Sequence, residues 1–270
     1  MAWRDLAKGE EEKVLNYVAA EPEVNLFISG DLLSFGLDGR HVRIHVYEKE
    51  GVLAGILLRF MDRNYVFYTK EATFPYEEMA AIIKGENPTL KGVCVNGRSD
   101  LVKPLANYLA PLTIEETTMA RCNALRHPVV HPSEAEVRFL RSRSEFEEVA
   151  KLEATIVEFG PERQTANEIV DGFVAGEKRG ALSAGVYVGG QLVSSASSSA
   201  DTALSSMLVG VMTRTGYREK GYASLAVGTL LEKLFERGEK FVCLFYDNPL
   251  AGRIYHAFGF EDVAPYAMLH

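Results

Sequence analysis

The residues best placed to do chemistry lie in one stretch, Gly210-Val-Met-Thr-Arg-Thr-Gly-Tyr-Arg-Glu-Lys-Gly-Tyr-Ala-Ser224. A β-rich run ends at Thr213, Gly216 and Gly221 bracket a basic loop, and an amphipathic helix follows at once. Such a junction points several free backbone N–H groups at one spot and adds the positive end of a helix dipole, which suits phosphate oxygens. Arg214, Arg218 and Lys220 against Glu219 give the loop +2 within a chain of net charge −8. The plain alternative is a solvated turn, but the glycines stand where close backbone approach requires them. The spacing Gly216-x4-Gly221 also opens a Walker A loop, which must continue with Lys and then Ser or Thr. Tyr222 and Ala223 follow instead, so the groups for phosphoryl transfer are missing, and no Gly-x-Gly-x-x-Gly is present. What remains is a cradle for a pyrophosphate, with no metal and no γ-phosphate handling.

Arg218-Glu-Lys-Gly221-Tyr-Ala223 resembles the acyl-CoA signature of the GNAT superfamily of N-acetyltransferases: Arg or Gln, then Gly, then Gly or Ala. Further on, Asn248-Pro-Leu-Ala251-Gly-Arg-Ile-Tyr255-His-Ala-Phe-Gly259-Phe260 resembles the family's second signature, an Asn, an Ala and a Tyr ahead of Gly-Phe. The resemblance covers about residues 135–270, and the first half lacks both signatures. It implies acetyl-CoA as cosubstrate, no metal, and direct attack of a primary amine on the thioester. It further implies that the backbone of Arg218, Glu219, Lys220, Gly221, Tyr222, Ala223 and Ser224 holds the CoA pyrophosphate. Val211, Met212 and Thr213 would pair with the pantetheine arm as an added strand does, and an N–H near Val211 would polarise the thioester carbonyl. The rival from another class is an acyl-CoA-binding regulatory or interaction module without catalysis.

Several of these residues carry a structural reading beside the functional one. Gly210 within a strand marks a bulge or is an ordinary strand glycine. Asn248-Pro249 makes a good helix start, Asn as N-cap and Pro at the first helical position, whether or not Asn248 also reaches the pantetheine arm. Tyr255, one turn beyond Ala251, is a core tyrosine or the general acid that protonates the departing thiolate; a phenol donates while uncharged at neutral pH. Glu158 is a candidate base for the amine, with Glu162, Asp201 or a chain of waters as alternatives, and a solvated helix-end carboxylate is its plain reading.

The elements that must position these groups fall into two similar halves, set apart at His127-Pro-Val-Val-His-Pro-Ser133, where two prolines favour an extended connector. Residues 1–128 read as a degenerate GNAT-like domain without a CoA signature, and 133–270 as the catalytic domain binding acetyl-CoA. The fold class is α/β (α+β): two domains, each a mixed, mostly antiparallel twisted sheet flanked by helices. In the first half, strands are expected at 41–47, 51–60 and 64–69, then a helix at 76–84, a strand at 90–95, a helix at 100–109 and a strand at 114–125. Its loop Tyr68-Thr-Lys-Glu-Ala-Thr-Phe-Pro75 has neither paired glycines nor a basic cluster and should not hold CoA. In the second, a strand at 135–140 precedes a helix from Ser144, where Glu147 completes a capping-box pattern, and a helix at 167–177. Strands follow at 185–188, 191–198 and 203–213. Ala223, Ala226, Val227, Leu230, Leu231 and Leu234 form one apolar helical stripe, stopped by Gly238. A strand at 240–247, a short helix at 248–258 and a strand at 263–269 close the chain.

Composition bounds the partners. The 270 residues are 47% hydrophobic and 24% charged, the balance of a globular protein with a sizeable core. An acidic chain does not hold a nucleic-acid backbone by bulk attraction, so the expected partner is a small-molecule or peptide amine, not nucleic acid. Cys94, Cys122 and Cys243 sit singly in apolar runs, which reads as reduced, buried thiols of a cytoplasmic protein. No signal-peptide pattern and no membrane-length apolar run is present, and the N-terminus reads as charged, helix-like sequence. His41 and His45 share a strand face with Arg43, which argues against a closed metal site. Oligomeric state leaves no mark on the sequence.

Overall fold

The computed structural model describes residues 2–157, 164–202 and 204–270. Its elements run twice through the same order. The first pass is β1 (Ala2–Asp5), α1 (Glu11–Val18), α2 (Leu26–Phe35), β2 (Val42–Lys49), β3 (Val52–Phe60), β4 (Asn64–Thr69), α3 (Tyr76–Glu86), β5 (Cys94–Arg98), α4 (Ser99–Val102) and β6 (Ile114–Cys122). The second is β7 (Ala135–Phe139), α5 (Arg143–Glu153), α6 (Ala166–Lys178), β8 (Ser183–Val188), β9 (Gln191–Ser199), β10 (Ser205–Thr213), α7 (Tyr222–Arg237), β11 (Phe241–Tyr246), α8 (Pro249–Phe258) and β12 (Glu261–Leu269).

Two compact units result. The first comprises residues 1–120, 245–247 and 262–270; the second comprises 121–244 and 248–261. The sequence reading makes a single cut near residues 128–133, whereas the chain's last strand here belongs with the first unit. In that unit β1 to β4 pair antiparallel in sequence order, β5 runs parallel to β4, and β12 lies antiparallel on β5, Tyr266 opposite Arg98 and Leu269 opposite Val95. In the second unit β7, β8, β9 and β10 pair antiparallel and β11 runs parallel to β10. Both are mixed, mostly antiparallel sheets flanked by helices.

Each helix of the second unit buries the face its pattern dictates. Phe146, Val149 and Leu152 of α5, with Ile169 and Val170 of α6, pack on Tyr187, Leu192 and Met212 of the sheet. On α7, Leu225, Ala226, Leu230, Leu231 and Leu234 are buried, and Gly238 ends the helix at φ +113°. The left-handed conformation there is one that glycine adopts without steric cost.

Four local expectations need correction. The helix-like N-terminus is a strand: Ala2–Asp5 pairs with Glu48–His45, and Trp3 packs edge-on against Phe74. The capping box of α5 is Ser142 with Glu145, not Ser144 with Glu147. The helix expected at 100–109 breaks after Val102 into a 3-10 turn, Lys103–Asn107, because Pro104 has no N–H to continue the α-helical ladder. Cys122 and Cys243 are buried, but Cys94 is only partly so. Among the described residues no helix is long and apolar enough to cross a membrane.

Candidate active site

β10 is bulged where the sequence places Gly210. Val209 faces Ser197 and Met212 faces Ser195, so Gly210 and Val211 together oppose Ala196 alone. Gly210 adopts φ +60° to make this possible. The parallel pairing of β10 with β11 covers only Ser205–Met207 against Phe241–Cys243. From Leu208 onward β10 runs outside that register, and Phe245–Asp247 at the end of β11 group with the first unit. The Arg214 N–H donates to the Val193 carbonyl of β9 at 2.8 Å. Backbone groups alternate sides along a regular strand, so Thr213, next to Arg214, turns its N–H away from β9.

Beyond β10 the chain makes a 3-10 turn at Thr215–Tyr217 and enters α7 through Gly221, the N-cap, at φ +82°. No side chain caps this helix and no acidic residue occupies its first turn, so its leading N–H groups and dipole are available to an anion. A Cβ built on Gly221 meets nothing within 4 Å, so the space in front of the helix is open. Arg218, Glu219 and Lys220 are exposed around it. Arg218 Nε donates to the Thr213 carbonyl at 3.2 Å and Lys220 Nζ to the Gly216 carbonyl at 3.4 Å, which folds the basic side chains back along the loop. Tyr222 is buried, and its hydroxyl donates to Glu134 at 2.9 Å, anchoring the helix start to the chain ahead of β7. These residues fit a pyrophosphate: a glycine cradle, an uncapped helix end and local positive charge coincide.

The corresponding place in the first unit is built differently. β4 keeps its register with β3 throughout. The first turn of α3 carries Glu77 and Glu78, which already satisfy the helix dipole. Phe74, just ahead of α3, packs onto β3, its ring so close to Gly55 that a Cβ there would meet it at 2.5 Å.

α8 carries the second set of residues. Asn248 is its N-cap, Oδ1 accepting from the Leu250 N–H at 2.9 Å, so the structural role of Asn248 is realised. Tyr255 is 7% exposed, and burial pushes its phenol up to about 12, so it is a protonated donor at neutral pH. The helix is seated by Phe258, which lies against Gly228 of α7, and by the Arg126 N–H, which donates to the Phe258 carbonyl at 3.1 Å. Of the candidate bases, Glu158 and Glu162 lie outside the described residues. Asp201 accepts from Ser198, Ser206 and Arg237 at 2.7–2.8 Å near the start of β10, the opposite end of the strand from the bulge. Among the described residues no group of three or more His, Cys, Asp or Glu is arranged to hold a metal ion. His45 instead lies between Asp5 and Glu86.

Residues 136–263, a little under half of the chain, match the acetyltransferase (GNAT) domain family. No curated protein matches the chain in sequence. Solved structures match it along its length. A Drosophila protein is 14% identical with a TM-score of 0.74, covering 99% of this chain and 97% of that one. A tandem GNAT protein from the clavulanic acid biosynthesis pathway is 14% identical at TM-score 0.65, with the same coverage. A GCN5-related N-acetyltransferase from Kribbella flavida is 18% identical at TM-score 0.63, covering 91% and 95%. At these identities the likeness is one of fold, and it extends over both halves.

Proposed function

We propose that the chain is an N-acetyltransferase of tandem GNAT architecture, whose second half moves the acetyl group of acetyl-CoA to a primary amine by direct attack on the thioester. The observation that carries this reading is the bulged β10 running into the uncapped, glycine-led start of α7 beside a basic loop. The backbone of residues 218–224 holds the pyrophosphate, and Val211 to Thr213 present strand edge to the pantetheine arm, as does the Asn248 amide left over from capping. The amine nitrogen forms a bond to the carbonyl carbon while an N–H near Val211 supports the oxygen as charge gathers on it. The carbon–sulfur bond breaks, and Tyr255 gives its phenolic proton to the sulfur. Holding amine and thioester together supplies much of the rate. The first unit, with acidic residues at the corresponding helix start, is the degenerate copy. The acidic chain favours a cationic acceptor, and a reduced, cytoplasmic setting suits its thiols.

The test is release of free CoA from acetyl-CoA across a panel of primary amines, with calorimetry of CoA binding alone. Turnover on at least one amine, with CoA bound in the absence of amine, is the expected result. Binding without turnover on any amine would leave an acyl-CoA-binding module; absence of binding would end both readings.

A further inference from the structure

In the second unit β9 is rich in serine, and one of these, Ser194, stands opposite Thr213 at the end of β10. Ser194 is fully buried, whereas Thr213 is partly exposed. The Ser194 hydroxyl donates to the Met212 carbonyl at 2.8 Å and lies 2.8 Å from the Thr213 hydroxyl. A hydroxyl carries one proton, so with the Ser194 proton on the Met212 carbonyl, the Thr213 hydroxyl is the donor to Ser194. The ladder bond at this point comes from the next residue, the Arg214 N–H donating to the Val193 carbonyl, so Thr213 and Ser194 form a pair that exchanges no backbone bonds. Side chains of such a pair approach closely, and the N–H and carbonyl of Thr213 both point away from β9. That carbonyl accepts from Arg218 Nε, and the N–H stands on the side where β11 pairs with β10 no further than Met207.

The direction of that N–H is a matter of register. Counted on from Val209 opposite Ser197 without a bulge, Met212 would face Ser194 and Thr213 would face Val193. Thr213 would then hold the place of Arg214, its N–H turned into β9. The bulge moves the pairing on by one residue, and a shift of one sends each side chain to the other face and each N–H to the other side. Two contacts hold the shifted register after the bulge. Met212 is buried on one face with Leu192 and Tyr187, and the hydroxyls of Ser194 and Thr213 meet on the other. With alanine at 194 the Thr213 hydroxyl and the Met212 carbonyl would lose this partner, which costs most where water does not replace it.

We propose that Ser194 is a positioning residue for the cosubstrate: its hydroxyl locks β10 in the bulged register and so holds the Thr213 N–H outward, toward an amide carbonyl of the pantetheine arm. Ser194 itself touches neither cosubstrate nor acceptor and acts through Thr213. The proposal rests on the acetyl-CoA reading for the identity of the ligand, whereas the lock is a property of the two strands.

Calorimetry and amide exchange on the full chain test it. Ser194→Ala should bind CoA about tenfold more weakly than the wild type. It should bind 3′-phospho-ADP, the part of CoA that carries the pyrophosphate and lacks the pantetheine arm, within about twofold of the wild type. Thr213→Val should also weaken CoA, and the double variant should be no weaker than Ser194→Ala alone, because both substitutions remove the same hydroxyl contact. Without any ligand, amides of residues 209–214 should exchange about tenfold faster in Ser194→Ala, with those of 183–188 unchanged. Wild-type affinity for CoA in Ser194→Ala, equal weakening of CoA and 3′-phospho-ADP, or unchanged exchange at 209–214 overturns the proposal. Should that variant not fold, Thr213→Val with wild-type affinity for CoA overturns it just as well. A wild type that binds no CoA, together with faster exchange at 209–214 in Ser194→Ala, defeats the acetyl-CoA reading and leaves the register lock standing.

Discussion

Tyr255 is an uncharged acid whose proton is held tightly, and that property shapes what its removal should do. With the phenol pushed up to about 12, it stays protonated through the range in which an amine acceptor titrates. Tyr255→Phe keeps the ring against Phe260 and removes only the hydroxyl, so the fold and CoA affinity should hold while kcat falls at least tenfold, as loss of general-acid assistance does. Because the raised value means that the proton leaves only as pH climbs toward 12, wild-type turnover should show no Tyr255-dependent loss up to pH 10. Steady-state rates from pH 6 to 10 check both statements, and an unchanged kcat would remove Tyr255 from the mechanism. The spacing of Asn248, Ala251, Tyr255 and Gly259 made this residue readable from sequence, since all four lie on one short helix or its caps.

At the scale of elements, α7 and α8 must hold a fixed relation if the pyrophosphate cradle and the acid are to serve one substrate. Gly228 sets that relation. A Cβ there would meet Phe258 of α8 at 3.0 Å and Val129 of the connector at 2.6 Å. Elsewhere in a helix Gly→Ala is favourable by up to about 1 kcal/mol. Here the overpacking costs about 1–3 kcal/mol and shifts α8. Gly228→Ala should therefore lower both the melting temperature and kcat, with CoA affinity less affected, because the cradle lies two turns away at the start of α7. Differential scanning calorimetry with kinetics on the same preparation checks this; a raised melting temperature would refute it. The apolar stripe of α7 was legible because its period is long and unbroken, whereas the start of α5 was misplaced by two residues. Ser142 with Glu145 and Ser144 with Glu147 satisfy the same pattern, and the choice falls to the strand ahead. β7 with Leu140 is held to β8, the Leu140 N–H donating to the Ser183 carbonyl at 2.8 Å. Only Arg141 is then left as a link before the helix. The N-terminal strand was missed for a related reason: Ala2–Asp5 is short and charged, and pairing with β2 outweighs its local preference.

For the whole molecule, the repeated element order makes the chain look divisible at residues 128–133, and the placement of β12 says that it is not. β5 has β4 on one side for only three residue pairs and β12 along the other. Tyr266, Ala267 and Leu269 of β12 are at most 1% exposed in the folded chain. A fragment of residues 1–128 thus lacks a strand of its own sheet and presents the edge of β5 to solvent, the kind of edge that recruits other chains. Burial of one Tyr or Leu side chain contributes about 1.5–3 kcal/mol, so losing this strand removes much of the 5–15 kcal/mol by which a typical domain is stable. The fragment should aggregate or remain unfolded, by light scattering and circular dichroism, and a fragment of residues 130–270 should not keep full activity, since its last strand has lost its place. Joining Asp262–His270 to the end of 1–128 through a flexible linker should restore a soluble, cooperatively folding unit. If 1–128 folds alone as a monomer, β12 is dispensable to the first sheet, and the two halves are independent domains after all. The net charge of −8 fits the proposed division of labour: under that proposal the basic loop at 214–220 is the local grip on a phosphate-bearing cosubstrate, ahead of a helix start that no side chain caps.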